Sequence, residues 1–429
     1  MKKYLIIPLL LAAISAAAQP VPDNDFVNYL RAFPQRASQN LHSYEFDALS
    51  DTPAPKGYKP FYISHYGRHG SRSAGDGHDY ARLEKVLSEA DADDQLTPDG
   101  KHLLDITRLV IERHGGMDGH LTPRGRREHA TIAERMYRRY PEVFRKGSRK
   151  ISAVSSTVPR CIVSMAAFTN KLKELQKDLD IDLDTGEKYM SYIGRGGSEK
   201  ITSANRPIID SLNKSLTPDT TSILGAIFKD PSAARKYVPS ARKFQRDIFS
   251  TAKTCEAFDI DEDLFRLLPE GVVYRYSRGS SIYIYLNHAN SEEAGDKRIP
   301  RAAPLADDII GKADEVIAGA PRAADLRFGH DWPLVGLVCY FGLEGASERM
   351  PLEEACARWN ASRFTPFAAN LQLIFYRNKR GDILVKFLLN EKETLIPELT
   401  PVSGPYYRWE DVKSLCDGRP KSYSSSKKH

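Results

Sequence analysis

Residues 65–72 read His65-Tyr66-Gly67-Arg68-His69-Gly70-Ser71-Arg72, and a far-downstream Gly329-His330-Asp331 answers them. Two arginines bracketing a histidine beside a glycine make a socket for an anion. Their guanidinium groups are planar, permanently charged forks that match the oxygens of a phosphoryl group. The imidazole between them can attack phosphorus. Phosphate chemistry is the expectation.

Something must hold these residues in place. Pro60-Phe61-Tyr62-Ile63-Ser64 predicts a short buried strand that delivers His65 to Gly70 into a loop, because Gly67 and Gly70 interrupt regular structure. A motif at the end of a strand lies at the edge of a sheet, where α/β proteins bind ligands. Helices are expected over 80–90, over 97–113 and from Leu121-Thr122-Pro123-Arg124-Gly125 to about residue 140. The last two open on a threonine cap followed by a first-turn proline. Residues 150–156 alternate and are rich in small and branched side chains, predicting a strand that ends in Thr157-Val158-Pro159-Arg160, with a helix over 161–179 behind it. Residues 190–320 are charged and punctuated by proline, helical in pattern at 232–252 and 305–319, with a strand signal at 281–286. Residues 322–328 lead into Gly329-His330-Asp331, and 371–377 and 383–389 are strands joined by the hairpin turn Asn378-Lys379-Arg380-Gly381.

The amino terminus reads as an export signal. Lys2 and Lys3 precede an apolar run, and Ser15-Ala16-Ala17-Ala18 supplies the small residues of a cleavage site, so residues 1–18 are expected to be removed. The run is shorter than the roughly 20 residues of a membrane span, and it contains Pro8. A soluble periplasmic or secreted protein follows, with no membrane anchor after the signal is removed. Loss of the two lysines lowers the formal charge from +6 to +4, a mild balance that suits small anionic substrates and makes no case for nucleic acid. The odd set Cys161, Cys255, Cys339, Cys356 and Cys416 permits up to two disulfides. Cys161 and Cys339 sit among apolar residues and read as core, so no pairing is assigned. The serine- and lysine-rich end, 421–429, reads as disordered.

Arg68-His69-Gly70-Ser71-Arg72 with His330-Asp331 resembles the histidine acid phosphatase family, the second branch of the histidine phosphatase superfamily, which includes phytases and multiple inositol polyphosphate phosphatases. Ser155-Ser156-Thr157 with Arg160 is similar to that family's third-arginine segment, and Ala369-Asn370-Leu371-Gln372 extends the likeness in the same order. The resemblance implies an α/β fold: a three-layer α/β/α core with a mainly parallel central sheet, built from 19–189 and 321–429, and an inserted, mostly helical cap over 190–320. It implies that His69 is the nucleophile, forming a phosphohistidine, and that Asp331 protonates the leaving oxygen and then assists water. Arg68, Arg72, Arg160 and His330 would hold the phosphate oxygens, with no metal and no cofactor.

Duller readings stand beside these. His65 and His69 have a zinc-compatible spacing on a helix, which Gly67 argues against; Asp331 before Trp332-Pro333 also suits a helix start; Arg160 also reads as a surface arginine. The cluster Arg124, Arg126, Arg127, Arg135, Arg138, Arg139, Arg145, Lys146, Arg149 and Lys150 reads first as a wetted helix face and second as a guide for polyanions. Ala74 stands where the family often has proline, and His330-Asp331 where the inositol polyphosphate phosphatases commonly carry His-Ala-Glu. The leading expectation is a secreted phosphomonoesterase acting on inositol polyphosphates. A broad-specificity acid phosphatase comes next, and a non-catalytic phosphate-ligand binder is remote.

Overall fold

The computed structural model describes residues 21–194, 199–214 and 222–421. The expected signal peptide, residues 195–198 and 215–221, and the terminal residues after Lys421 lie outside the described residues. Eight strands, β1 (Lys59–Arg68), β2 (Lys150–Ser155), β3 (Asp180–Thr185), β4 (Ala324–Gly329), β5 (Asn370–Arg377), β6 (Ile383–Leu389), β7 (Lys392–Thr394) and β8 (Tyr406–Arg408), form one sheet. Its order is β3-β2-β4-β1-β5-β6-β7, with β8 also paired to β6.

The sheet is mixed rather than mainly parallel. Pairings among β3, β2, β4 and β1 are parallel, whereas β5 joins β1 antiparallel and the rest follow as antiparallel hairpin-type neighbours. The physical reason is connection length. A parallel neighbour needs a crossover, which helices supply up to β4; between β5 and β6 the four-residue turn at 378–381 permits only reversal. The parallel half carries the motif residues.

Three layers result from alternation along β1. Ile63 joins the apolar cluster of helices Pro123–Arg139 and Pro159–Leu175, including Met136, Phe168 and Leu172, on one face. Tyr62 and Tyr66 join the cluster of helices Ala303–Ile317, Asp331–Phe341 and Trp409–Asp417 on the other. All six residues of β4 are buried, as a strand covered on both sides must be. Each such large apolar side chain contributes about 1.5–3 kcal/mol.

The helix starts read from sequence are present. Thr97 Oγ1 accepts from Gly100 N at 3.1 Å and Thr122 Oγ1 from Gly125 N at 3.3 Å, each ahead of a proline in the first turn. Three local expectations fail. β1 continues through Gly67 to Arg68, because a central strand is held from both sides, Gly67 opposite Phe328 and Asn370. Residues 281–286 belong to the helix Glu270–His288, whose Ile282, Ile284, Tyr285 and Leu286 are all buried; covered on several sides, such a stretch shows no helical polar face. The helix after β2 ends at Leu175, making room for β3 beside β2.

A further apolar cluster joins helix Ala241–Cys255 with His78–Ala92 and Pro98–His114, through Phe244, Ile248, Leu83, Leu87, Leu103 and Val110. On that packing we propose that the helical unit extends beyond 190–320 to take in 78–114. All five cysteines are buried and none is in a disulfide. No helix among the described residues is long and apolar enough to cross a membrane.

Candidate active site

Adjacent parallel strands bring the distant motifs together. Arg68 and Gly329 are register partners at the carboxyl ends of β1 and β4, so His69 and His330 leave neighbouring strands side by side. His69 N donates to Gly329 O at 3.0 Å, and Ala368 N donates to His69 O at 3.0 Å, clamping the nucleophile candidate between β4 and the approach to β5. The two imidazoles meet edge to face with centroids 5.6 Å apart. β2, on the other side of β4, delivers Ser156 and Arg160; Ser156 N donates to Phe328 O at 3.0 Å. The site therefore lies at the carboxyl edge of the parallel half.

The tautomer of His69 follows from its partner. Nδ1 lies 3.0 Å from Gly70 O, and a carbonyl can only accept, so Nδ1 carries the hydrogen and Nε2 keeps its lone pair. Burial, then the charges of Arg68 and Arg160, His330 and Arg72, hold its pKa well below 6.5. The structure thus gathers Arg68, Arg72, Arg160 and His330 around one neutral imidazole, with Asp331 against Arg68.

Arg68, His330 and Asp331 are all buried; Arg72 and Arg160 are half-buried. Arg68 Nη1 donates to Asn40 O and, at 2.7 Å, to Thr365 O, while its guanidinium carbon sits 4.6 Å from the Phe367 ring centre. Nη2 faces Asp331 Oδ2 at 3.3 Å. Asn40 Nδ2 donates to that same Oδ2 at 2.9 Å. His330 N donates to Tyr66 Oη at 3.0 Å, and His330 Nε2 lies 3.2 Å from Ser156 Oγ. Asp331 is the first residue of the helix Asp331–Phe341, with His330 as its N-cap, so the carboxyl sits at the positive end of the helix. No side chain caps that start.

The loop after β1 is braced from beneath. A Cβ on Gly70 would fall 2.5 Å from Gly125 O, so loop and helix start meet backbone to backbone. Gly70 N donates to Ser164 Oγ at 3.1 Å. The buried Glu128 accepts Ser71 N at 2.7 Å, Ser71 Oγ at 2.6 Å and Tyr44 N at 3.2 Å; burial raises its pKa despite those donors. Sequence reading missed Glu128, and it missed Asn40 in the segment ahead of β1. No local signal marks either residue, since each acts through a partner distant in sequence.

A cavity of about 560 Å³ opens over these groups, lined by Asn40, Arg68, Arg72, Arg275, Asp331 and Trp332 among others. Arg275 comes from the helix Glu270–His288. Burial first, then Arg242 and Arg278, lower its pKa, as expected of cations crowded together. His65 packs in the core against Phe168 and Phe328 on a strand rather than a helix. Most of the basic run on helix Pro123–Arg139 and beyond is paired locally, Arg127 with Asp259, Arg135 with Glu391 and Arg139 with Asp51. Among the described residues no group of three or more histidines, cysteines and carboxylates is placed to hold a metal.

Residues 67–219 match the model of the histidine phosphatase superfamily, branch 2. The chain is 22% identical over 332 residues to multiple inositol polyphosphate phosphatase 1 of Gallus gallus, covering 68% of each protein. Its fold is similar to that of the Bifidobacterium longum multiple inositol polyphosphate phosphatase in complex with phosphate, with TM-score 0.73, 19% identity and 90% and 98% of the two chains covered. The phytase of D. castellii superposes with TM-score 0.68 at 13% identity over 91% and 89%. With its motifs in order on this sheet, the chain is similar to branch 2 of the histidine phosphatase superfamily over residues 67–219.

Proposed function

We propose that this histidine-type phosphomonoesterase hydrolyses inositol polyphosphates, phytate included, through a phosphohistidine. The observation that carries the reading is a buried, neutral His69 with Nε2 unprotonated, set among arginines beside the Asp331 carboxyl. Nε2 attacks phosphorus, the bond to the ester oxygen breaks, and that oxygen takes the proton of Asp331. Water then attacks the phosphorus, gives its proton to the Asp331 carboxylate, and the P–N bond breaks to release phosphate and neutral His69. Arg68, Arg72, Arg160 and His330 hold the equatorial oxygens, supplying by fixed donors the charge compensation that transfer demands.

The substrate class is supported by the relatives and by the cavity. A Bifidobacterium longum homologue was crystallised with inositol hexasulfate, whose sulfates stand in for phosphates. Here Arg275 adds a further cation to the lining that holds Arg72, suited to a substrate bearing more than one phosphate. The His330-Asp331 pair, a form shared by phytases and general acid phosphatases, keeps a broad-specificity acid phosphatase as the second reading. An amino-terminal export signal would place either activity outside the cytoplasm.

Comparing turnover of phytate, sugar phosphates and 4-nitrophenyl phosphate separates the two readings; preference for phytate is expected, and equal kcat/KM on all three favours the second. His69→Ala abolishes phosphate release from every substrate. Asp331→Asn slows poor leaving groups more than good ones, since a basic departing oxygen needs the proton most, and equal losses count against the assigned role.

A further inference from the structure

The segment before β1 carries a backbone outlier. Gln39 adopts φ 56°, ψ −123°, a region that strains any residue with a side chain. It is fully buried and clamped: Nε2 donates to Asn360 Oδ1 and to Arg36 O, both at 3.0 Å, and Oε1 accepts Ala361 N at 3.1 Å. Strain that three hydrogen bonds maintain must serve the geometry it imposes. That geometry turns Asn40 so that its carbonyl accepts from Arg68 Nη1 while its amide donates to Asp331 Oδ2 at 2.9 Å. One residue thereby ties a phosphate-binding guanidinium to the carboxyl beside it.

We infer that Asn40 is a positioning residue for the proton donor: it commits Asp331 Oδ2 to accepting, so that Oδ1 carries the transferable proton. The inference rests on Asp331 acting as the acid. Oδ2 accepts from the Asn40 amide and faces the Arg68 cation, whereas Oδ1 accepts from the neutral backbone N–H of Trp332 at 3.1 Å, a bond that a protonated oxygen can keep. The carboxyl is thus held at both oxygens and cannot rotate without breaking a bond. Other ionisable groups face it: Tyr66 and Arg68 from β1, His330 beside it, and His288, whose ring stacks 4.5 Å from Trp332 and which Arg298 and Arg301 in turn influence. Arg72 and Arg275 share its cavity.

The test combines leaving-group dependence with pH profiles of Asn40→Ala, Asn40→Asp and Asp331→Asn in the full chain. Removing the amide donor destabilises the ionised carboxyl, so the alkaline limb of kcat/KM moves upward in Asn40→Ala. It moves further in Asn40→Asp, which sets a like charge beside the acid. Misplacing the donor costs roughly 10- to 100-fold in kcat on phytate. The loss on 4-nitrophenyl phosphate is smaller, because its leaving group needs little protonation. Equal losses on both substrates with an unmoved limb, in variants that unfold at the wild-type temperature, overturn the inference. Asn40→Asp, nearly the same shape, carries the test should Asn40→Ala not fold. If Asp331→Asn shows the leaving-group split and the Asn40 variants do not, the positioning role alone fails. If Asp331→Asn shows none, the acid assignment falls, and this inference with it.

Discussion

Gly70 and Gly125 touch backbone to backbone: a Cβ on the first would fall 2.5 Å from the carbonyl oxygen of the second, and one on the second would run into Ser71 O. The loop carrying His69 and Arg72 is thus seated on the start of the helix Pro123–Arg139, where Thr122 N also donates to Ser71 O at 3.0 Å.

Gly125→Ala is therefore expected to push the loop off its seat. Neither contact is with a flexible side-chain end, so the added methyl costs about 1–3 kcal/mol. Activity falls further than stability does, because His69 and Arg72 move together. Thermal unfolding and kcat on 4-nitrophenyl phosphate check both, and wild-type values in each would show the seat to be irrelevant.

The pH dependence of attack follows from His69. Its pKa is held well below 6.5, by burial above all and then by Arg68, Arg160, His330 and Arg72, so the nucleophile stays neutral as pH falls through 6.5. kcat/KM should keep its plateau on that side, and an acid limb near 6.5 would contradict the assignment. The same shift has a stability sign. In acid the unfolded chain binds a proton that the folded site refuses, so His69 makes the fold less stable as pH drops below about 6.5. His69→Gln relieves that slope in urea titrations at low pH.

Much of this site was readable because its chemistry lies in short ordered runs. Arg68-His69-Gly70-Ser71-Arg72, Arg160 and His330-Asp331 announce themselves by type, and the Thr-Pro starts at 97 and 122 encode their own caps. The strand through Gly67 was not legible, because its stability comes from neighbours on both sides. A Cβ there would lie 2.7 Å from His65 Cε1, so the glycine makes room for a ring rather than a turn. Residues 281–286 alternate like a strand yet sit in a helix whose surroundings cover several faces at once. Asn40 and Glu128 gain their meaning only from Asp331 and Ser71, which no window of sequence contains.

Glu128→Gln tests the brace under the loop. The carboxylate accepts three donors, two from Ser71 and one from Tyr44, and an amide nitrogen in place of either oxygen would confront an N–H or O–H. A loss of about 1–3 kcal/mol is expected, with a fall in kcat exceeding any rise in KM. Undiminished stability by denaturant titration would mean that the loop holds without it.

His42 supplies a pH-dependent tie of the opposite sign. Burial alone would lower its pKa, but hydrogen bonds to Glu256 and Glu45, each 2.8 Å, outweigh it and raise the value from 6.5 to about 9. The charged ring therefore stabilises the fold fully below 6.5, and the contribution disappears as pH rises through 9. It amounts to about 3 kcal/mol. Denaturant titrations of His42→Gln against wild type should differ by that much near pH 6 and far less near pH 10, and a constant difference would point to packing alone.

β1 and β4 lie side by side, Ile63 opposite Ala324, although β2, β3 and most of the helical segments are made between them. The pocket consequently has no existence in the growing polypeptide. Until synthesis passes residue 331 the His69 ring has no Asp331 to meet, and Asn40 has no carboxyl to hold. Pairing across such separations is slow to form. A chain cut short of β4 is mute toward phosphate esters whatever its earlier helices have assembled, so competence arrives all at once and late.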